Sequence, residues 1–80
     1  MNQTQSSIFT VDAMGKPCPM PLLMLKRALK STSPQQTICV RASDPHSEID
    51  ILRYCEIHHL TCHVTQPSEN EYCYMVEKNA

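Results

Sequence analysis

The segment Ile8-Phe9-Thr10-Val11-Asp12-Ala13-Met14-Gly15-Lys16-Pro17-Cys18-Pro19-Met20-Pro21 joins two contrasting patterns. Its first part carries apolar or β-branched side chains at Ile8, Phe9, Thr10 and Val11 and ends at Gly15, the only glycine in the chain, which reads as a strand and its exit turn. Its second part leads into a run of strong helix formers, so a helix is predicted from Pro19 to about Ser31 with Leu22, Leu25 and Leu29 on one face. Lys26, Arg27 and Lys30 fall toward its end, where cations suit the helix dipole. Pro17 stiffens the approach, and Pro19 and Pro21 fit the first helical turn, where a missing N–H removes no intrahelical bond.

Beyond this segment, Ser31-Thr32-Ser33-Pro34 breaks the helix, and Thr37 to Arg41 alternates Ile38 and Val40 with Cys39 and Arg41, the period of a half-buried strand. Asp44-Pro45 offers an N-cap followed by a proline at the first helical position, and Ser47 with Asp50 offers a capping box instead. Ile49, Leu52 and Cys55 or Glu56 form the expected apolar stripe of this second helix, which should run to about His58. Leu60, Cys62 and Val64 alternate with polar residues, Gln66 to Asn70 reads as a turn, and Tyr72, Tyr74 and Val76 alternate again, so the last two strands should form a hairpin. The order β-α-β-α-β-β predicts an α/β fold, a two-layer α/β sandwich in which about four strands form a mixed sheet with both helices on one face. The other face is left to solvent or a partner.

With 80 residues, 41% hydrophobic and 19% charged, the chain suits a single domain over 1–80, its polar lead at 1–7 being flexible. A domain this small buries only about 60% of its unfolded surface, so it has no interior for a large cofactor, and its chemistry is expected near the surface. A net charge of −1, no basic run, no Trp and one Phe argue against a direct nucleic-acid partner. Residues 1–7 lack a basic region followed by an apolar stretch, and no segment approaches the roughly 18 apolar residues of a membrane span, so a soluble cytoplasmic protein is expected. Five Cys make an odd number without a secretory signal, which favours reduced thiols over a disulfide framework. No two Cys stand in CxxC spacing, and Cys62 and His63 would point to opposite faces of a strand, so no metal site is expected.

Cys18 is the candidate reactive residue. It falls at or next to the N-cap of the first helix, on a proline-stiffened turn outside any core stripe. There the positive end of the dipole and unpaired N–H groups favour an anion, so the thiol pKa is expected to fall from about 8.5 toward the range of about 3.5 to 7.5 seen for activated cysteines. A thiolate is the nucleophile that thiol chemistry needs.

Asp12 to Pro21 with Cys18-Pro19-Met20-Pro21 at its end, followed by Lys26 and Leu29, resembles the CPxP signature of the TusA/SirA/YedF family of sulfur carriers. Asp44-Pro45 with Ser47 and Asp50, then Cys55 and His59, resemble the family's second helix and its exit, so the similarity spans nearly the whole domain. The resemblance implies a two-layer α/β sandwich and a catalytic Cys18 that accepts sulfane sulfur as a persulfide and relays it, acting as a carrier more than a turnover enzyme. It implies a sulfur-donor protein such as a cysteine desulfurase or rhodanese, an acceptor sulfur-relay protein, and no cofactor. The acceptor could serve tRNA thiolation, cofactor synthesis, selenium handling or sulfur oxidation. The sequence departs from the family pattern at Lys16, usually apolar, at Ser33 to Thr37, where no glycine precedes the strand, and at His58, customarily glycine.

Around Cys18, Asp12 can orient the loop by accepting backbone N–H bonds, and Gly15, Pro19 and Pro21 complete the motif. A general-base role for Asp12 is not expected, because a nearby carboxylate raises a thiol pKa. Lys26 lies about 12 Å along the helix from position 18, which suits partner docking, as do Lys16 and Met20. Cys39, Cys55, Cys62 and Cys73 read as buried small hydrophobes, Cys55 most clearly, with a resolving partner for Cys18 left open. His58, His59 and His63 cap or cover the helix end, or share a role. Besides the persulfide carrier, the sequence leaves two alternatives: a non-catalytic regulatory or interaction module of the same fold, and a thiol redox sensor.

Overall fold

A computed structural model describes residues 8–78 of the chain; the expectation for 1–7 lies outside them. Six elements follow the predicted order: β1 (Ile8–Ala13), α1 (Met20–Ser31), β2 (Thr37–Ala42), α2 (Ser47–Ile57), β3 (Leu60–Ser68) and β4 (Glu71–Lys78). The strands lie in the order β1-β2-β4-β3, with β1 parallel to β2 and the other two pairings antiparallel. The sheet is thus mixed, and both helices pack on one face.

That face supplies the core. Val11 and Ala13 of β1, Ile38, Val40 and Ala42 of β2, and Tyr74 and Val76 of β4 pack with Leu25, Ala28, Ile51 and Cys55 from the helices. Leu22 and Leu29 of α1 flank Leu25 against this core, so the leucine stripe faces as its spacing predicts. At the far end of α1, Lys78 donates to the carbonyls of Leu29 at 2.8 Å and Thr32 at 2.7 Å, tying the final strand to acceptors that the helix leaves unpaired.

Several expectations are corrected. In α2 the buried residues are Ser47, Ile51 and Cys55, an i, i+4, i+8 row, while Ile49 is 64% exposed and Leu52 37%. Cys55 is buried as expected, but Ile49 and Leu52 marked the wrong face, because a serine and a cysteine occupy two of the three inward positions. The expected box between Ser47 and Asp50 does not form, whereas Asp44 accepts the His46 amide at 3.0 Å in the turn that leads into α2, whose own N-cap, His46, makes no side-chain bond. The last hairpin is also tighter than Gln66 to Asn70 suggested. β3 continues to Ser68 across a register shift between Thr65 and Ser68, and the turn is Glu69-Asn70. Pro67 is tolerated there because β3 is an edge strand.

Among the described residues no helix covers the opposite face. Register places Thr10, Cys39, Met75 and His63 in one row across it and Asp12, Arg41, Cys73 and Thr65 in the next. Arg41 pairs with Glu71 at 2.8 Å on this face. Cys39 and Cys73 are therefore not core residues as the sequence suggested; they are half-buried on the open face.

Candidate functional site

Because β1 and β2 are parallel, their C-terminal ends reach the same end of the sheet, and the loops that leave them meet there. The β1 exit is a turn closed by the Lys16 amide donating to the Ala13 carbonyl at 3.2 Å. Gly15 has φ +78°, and a Cβ on it would meet nothing within 4 Å, so the backbone conformation alone calls for glycine. Asp12 Oδ1 accepts the Met14 amide at 3.1 Å, and the Gly15 amide donates to Ser43 Oγ at 2.8 Å, fastening this loop to the one after β2.

The next turn carries Cys18. The Met20 amide donates to the Pro17 carbonyl at 2.8 Å, the Cys18-Pro19 peptide is cis, and α1 starts at Met20 with Pro19 as N-cap. Cys18 thus stands one residue before the cap, Pro21 is buried in the first helical turn, and Cys18 itself is exposed. Lys16 is exposed and Met20 half-buried beside it in sequence. Lys26 lies over the ring of Tyr54 on α2, 5.2 Å from its centroid, so this cation is engaged between the helices.

Two carboxylates from the second half of the fold close on Cys18. Asp44 Oδ2 accepts the Cys18 amide at 2.6 Å, while its Oδ1 accepts the His46 amide at 3.0 Å. These bonds, with His46 first, hold the Asp44 carboxyl below its usual range. Asp50, in the first turn of α2, accepts the Cys18 Sγ–H at 2.9 Å. The expected fall in the Cys18 pKa is reversed. The hydrogen bond to Asp50 raises it most, followed by desolvation and the negative charges of Asp50 and Asp44. With both carboxylates beside it the thiol is pushed above its ordinary value, so the resting form is a protonated thiol with a proton acceptor already in place.

Asp44 and Asp50 were read from the sequence as helix caps; their contacts with Cys18 arise only in the folded chain. The other sulfurs are paired elsewhere. Cys39 and Cys73 lie 3.8 Å apart, and Cys55 and Cys62 hydrogen-bond one another. The histidines are dispersed as well: His58 stacks on Tyr54 with ring centroids 4.2 Å apart, His59 takes a left-handed φ of 59°, and His63 lies in the open-face row. Among the described residues no three His, Cys, Asp or Glu side chains gather as a metal site, and no helix is long and apolar enough to cross a membrane. A groove of about 310 Å³ runs between β1 and α1, but Cys18 and Asp50 do not line it.

Fold and site together define a class: a small α/β sandwich presenting a single exposed cysteine where the end of a parallel strand pair meets a helix start. The chain belongs to the sulfurtransferase TusA family, whose family model matches residues 9–78. It is also similar to the crystal structure of the SirA-like protein from Desulfitobacterium hafniense, with a TM-score of 0.73 at 19% identity, covering 90% of this chain and 99% of that one. Membership places the chain in a sulfur-relay family, which implies sulfur-relay partners.

Proposed function

We propose that the chain carries sulfane sulfur as a persulfide on Cys18. The observation that supports this most directly is the exposed Cys18 thiol bonded to Asp50 at the end of the sheet, outside the groove between β1 and α1. An exposed thiol suits a substrate that arrives on another protein's surface. As the thiol is deprotonated, Asp50 is the local acceptor of its proton, and the sulfur attacks the outer sulfur of a donor persulfide. A Cys18–S bond forms, the donor's S–S bond breaks, and the donor cysteine leaves with the electron pair and takes up a proton. The exchange is redox-neutral, and release to an acceptor thiol repeats it in the other direction.

Donors of this kind are cysteine desulfurases and rhodanese-like proteins, and the acceptor is another relay protein. Asp12, Gly15, Pro19 and Pro21 shape the loop, while Lys16 and Met20 border the thiol for docking. The test is incubation with a cysteine desulfurase, cysteine and pyridoxal phosphate, followed by intact mass. Wild type should gain one sulfur and Cys18→Ser none. No gain on wild type with an active donor would instead indicate an interaction module, and a peroxide-driven disulfide involving Cys18 would indicate a redox sensor.

A further inference from the structure

The open face of the sheet holds a second sulfur site, separate from Cys18. The sulfurs of Cys39 and Cys73 lie 3.8 Å apart there, both half-buried. The register pairs Cys39 with Met75 and Arg41 with Cys73, so the two cysteines are diagonal neighbours and not directly opposite. Diagonal neighbours on adjacent strands are about 7–8 Å apart, beyond the span of about 4.4–6.8 Å that a disulfide normally bridges between Cα atoms. An atom placed between the sulfurs fits better. Two bonds of about 2.3 Å, the length of a zinc–thiolate bond, put the sulfurs about 3.8 Å apart at a tetrahedral angle and about 4.6 Å apart in line.

We propose that Cys39 and Cys73 clasp a soft, thiolate-seeking metal ion of the Cu(I) class. Each thiol releases its proton to solvent, two S–H bonds are exchanged for two sulfur–metal bonds, and the ion keeps its oxidation state. The surroundings favour a soft ion. Met75 contributes a thioether at the position across from Cys39, and thiolate with thioether is the donor set that selects Cu(I). A four-coordinate zinc site would need further nitrogen, oxygen or thiolate ligands, and no such trio gathers among the described residues. Arg41, across from Cys73, brings a guanidinium beside the negative bis-thiolate, although it is shared with Glu71. The sequence gives no hint of this site because its ligands come from two strands and meet only through their register.

The test is an anaerobic titration of wild type, Cys18→Ser and the Cys39→Ser/Cys73→Ser double variant with Cu(I) against a chromogenic Cu(I) chelator. Wild type and Cys18→Ser should each retain one equivalent more than the double variant. Equal retention by the double variant, or loss of that equivalent in Cys18→Ser, overturns the proposal. Should the double variant fail to fold by circular dichroism, the copper K-edge spectrum of Cys18→Ser at one equivalent decides. Two or three sulfur neighbours are expected, and mainly nitrogen or oxygen neighbours would overturn the assignment.

Discussion

The thiol of Cys18 and the carboxylate of Asp50, 32 residues apart in sequence, share a 2.9 Å hydrogen bond across the junction of the two helices. The bond holds the sulfur protonated and keeps its proton acceptor at hand. Removing the carboxylate charge should lower the Cys18 pKa. In Asp50→Asn the pH profile of iodoacetamide alkylation at Cys18 is expected to shift to lower pH, with a several-fold faster rate near neutrality. An unchanged profile would mean that the pair is not formed in solution.

Asp44 supplies a dependence of opposite sign. Its carboxyl is held below the ordinary value of 3.8 by bonds to the His46 and Cys18 amides. A depressed carboxyl stabilises the folded chain above its unfolded pKa, and that contribution is lost as pH falls through the folded value. The melting temperature should therefore decline below about pH 4, and Asp44→Ala should melt lower at pH 7 with a shallower acid decline. A parallel acid decline in variant and wild type would remove Asp44 as its source.

Tyr74 is fully buried on β4, and among the described residues its hydroxyl has no hydrogen-bond partner. An unpaired buried hydroxyl costs about 1–3 kcal/mol, so Tyr74→Phe should leave stability unchanged or raise it by about 1 kcal/mol. Tyr74→Ala would leave a cavity and cost about 3–5 kcal/mol by analogy with other aromatic truncations. Urea midpoints distinguish the two, and a large loss in Tyr74→Phe would reveal a partner for the hydroxyl.

The orientation of α2 can be checked with two neighbouring isoleucines. Ile51 is fully buried and Ile49 is 64% exposed. Ile51→Ala should cost about 2–5 kcal/mol, whereas Ile49→Ala should stay within about 0.5 kcal/mol. The reverse order in denaturant unfolding would restore the face that the large apolar residues suggested.

The strands, α1 and the mixed two-layer arrangement could be read from the chain because alternation and the leucine stripe each report a local period. On α2 only Cys55 of the inward row Ser47-Ile51-Cys55 belongs to the expected stripe, because that row contains one strongly apolar residue and periodicity followed Ile49 and Leu52 instead. Around Cys18 the turn itself was legible, because its prolines and Gly15 act within a few residues. Its electrostatics were not. The helix start is a local feature and pointed to an acidic thiol, while the carboxylates that reverse the sign arrive from Asp44 and Asp50 through the parallel pairing of β1 and β2. The same limit hid the Cys39–Cys73 pair, which depends on how β2 registers with β4.

That parallel pairing brings the loops after β1 and β2 to one end of the sheet, and Cys18 lies there. In the proposed relay, donor and acceptor then compete for the same ground around one sulfur. Transfer becomes a succession of separate encounters, and its pace is set by how fast the first partner lets go as much as by the exchange chemistry.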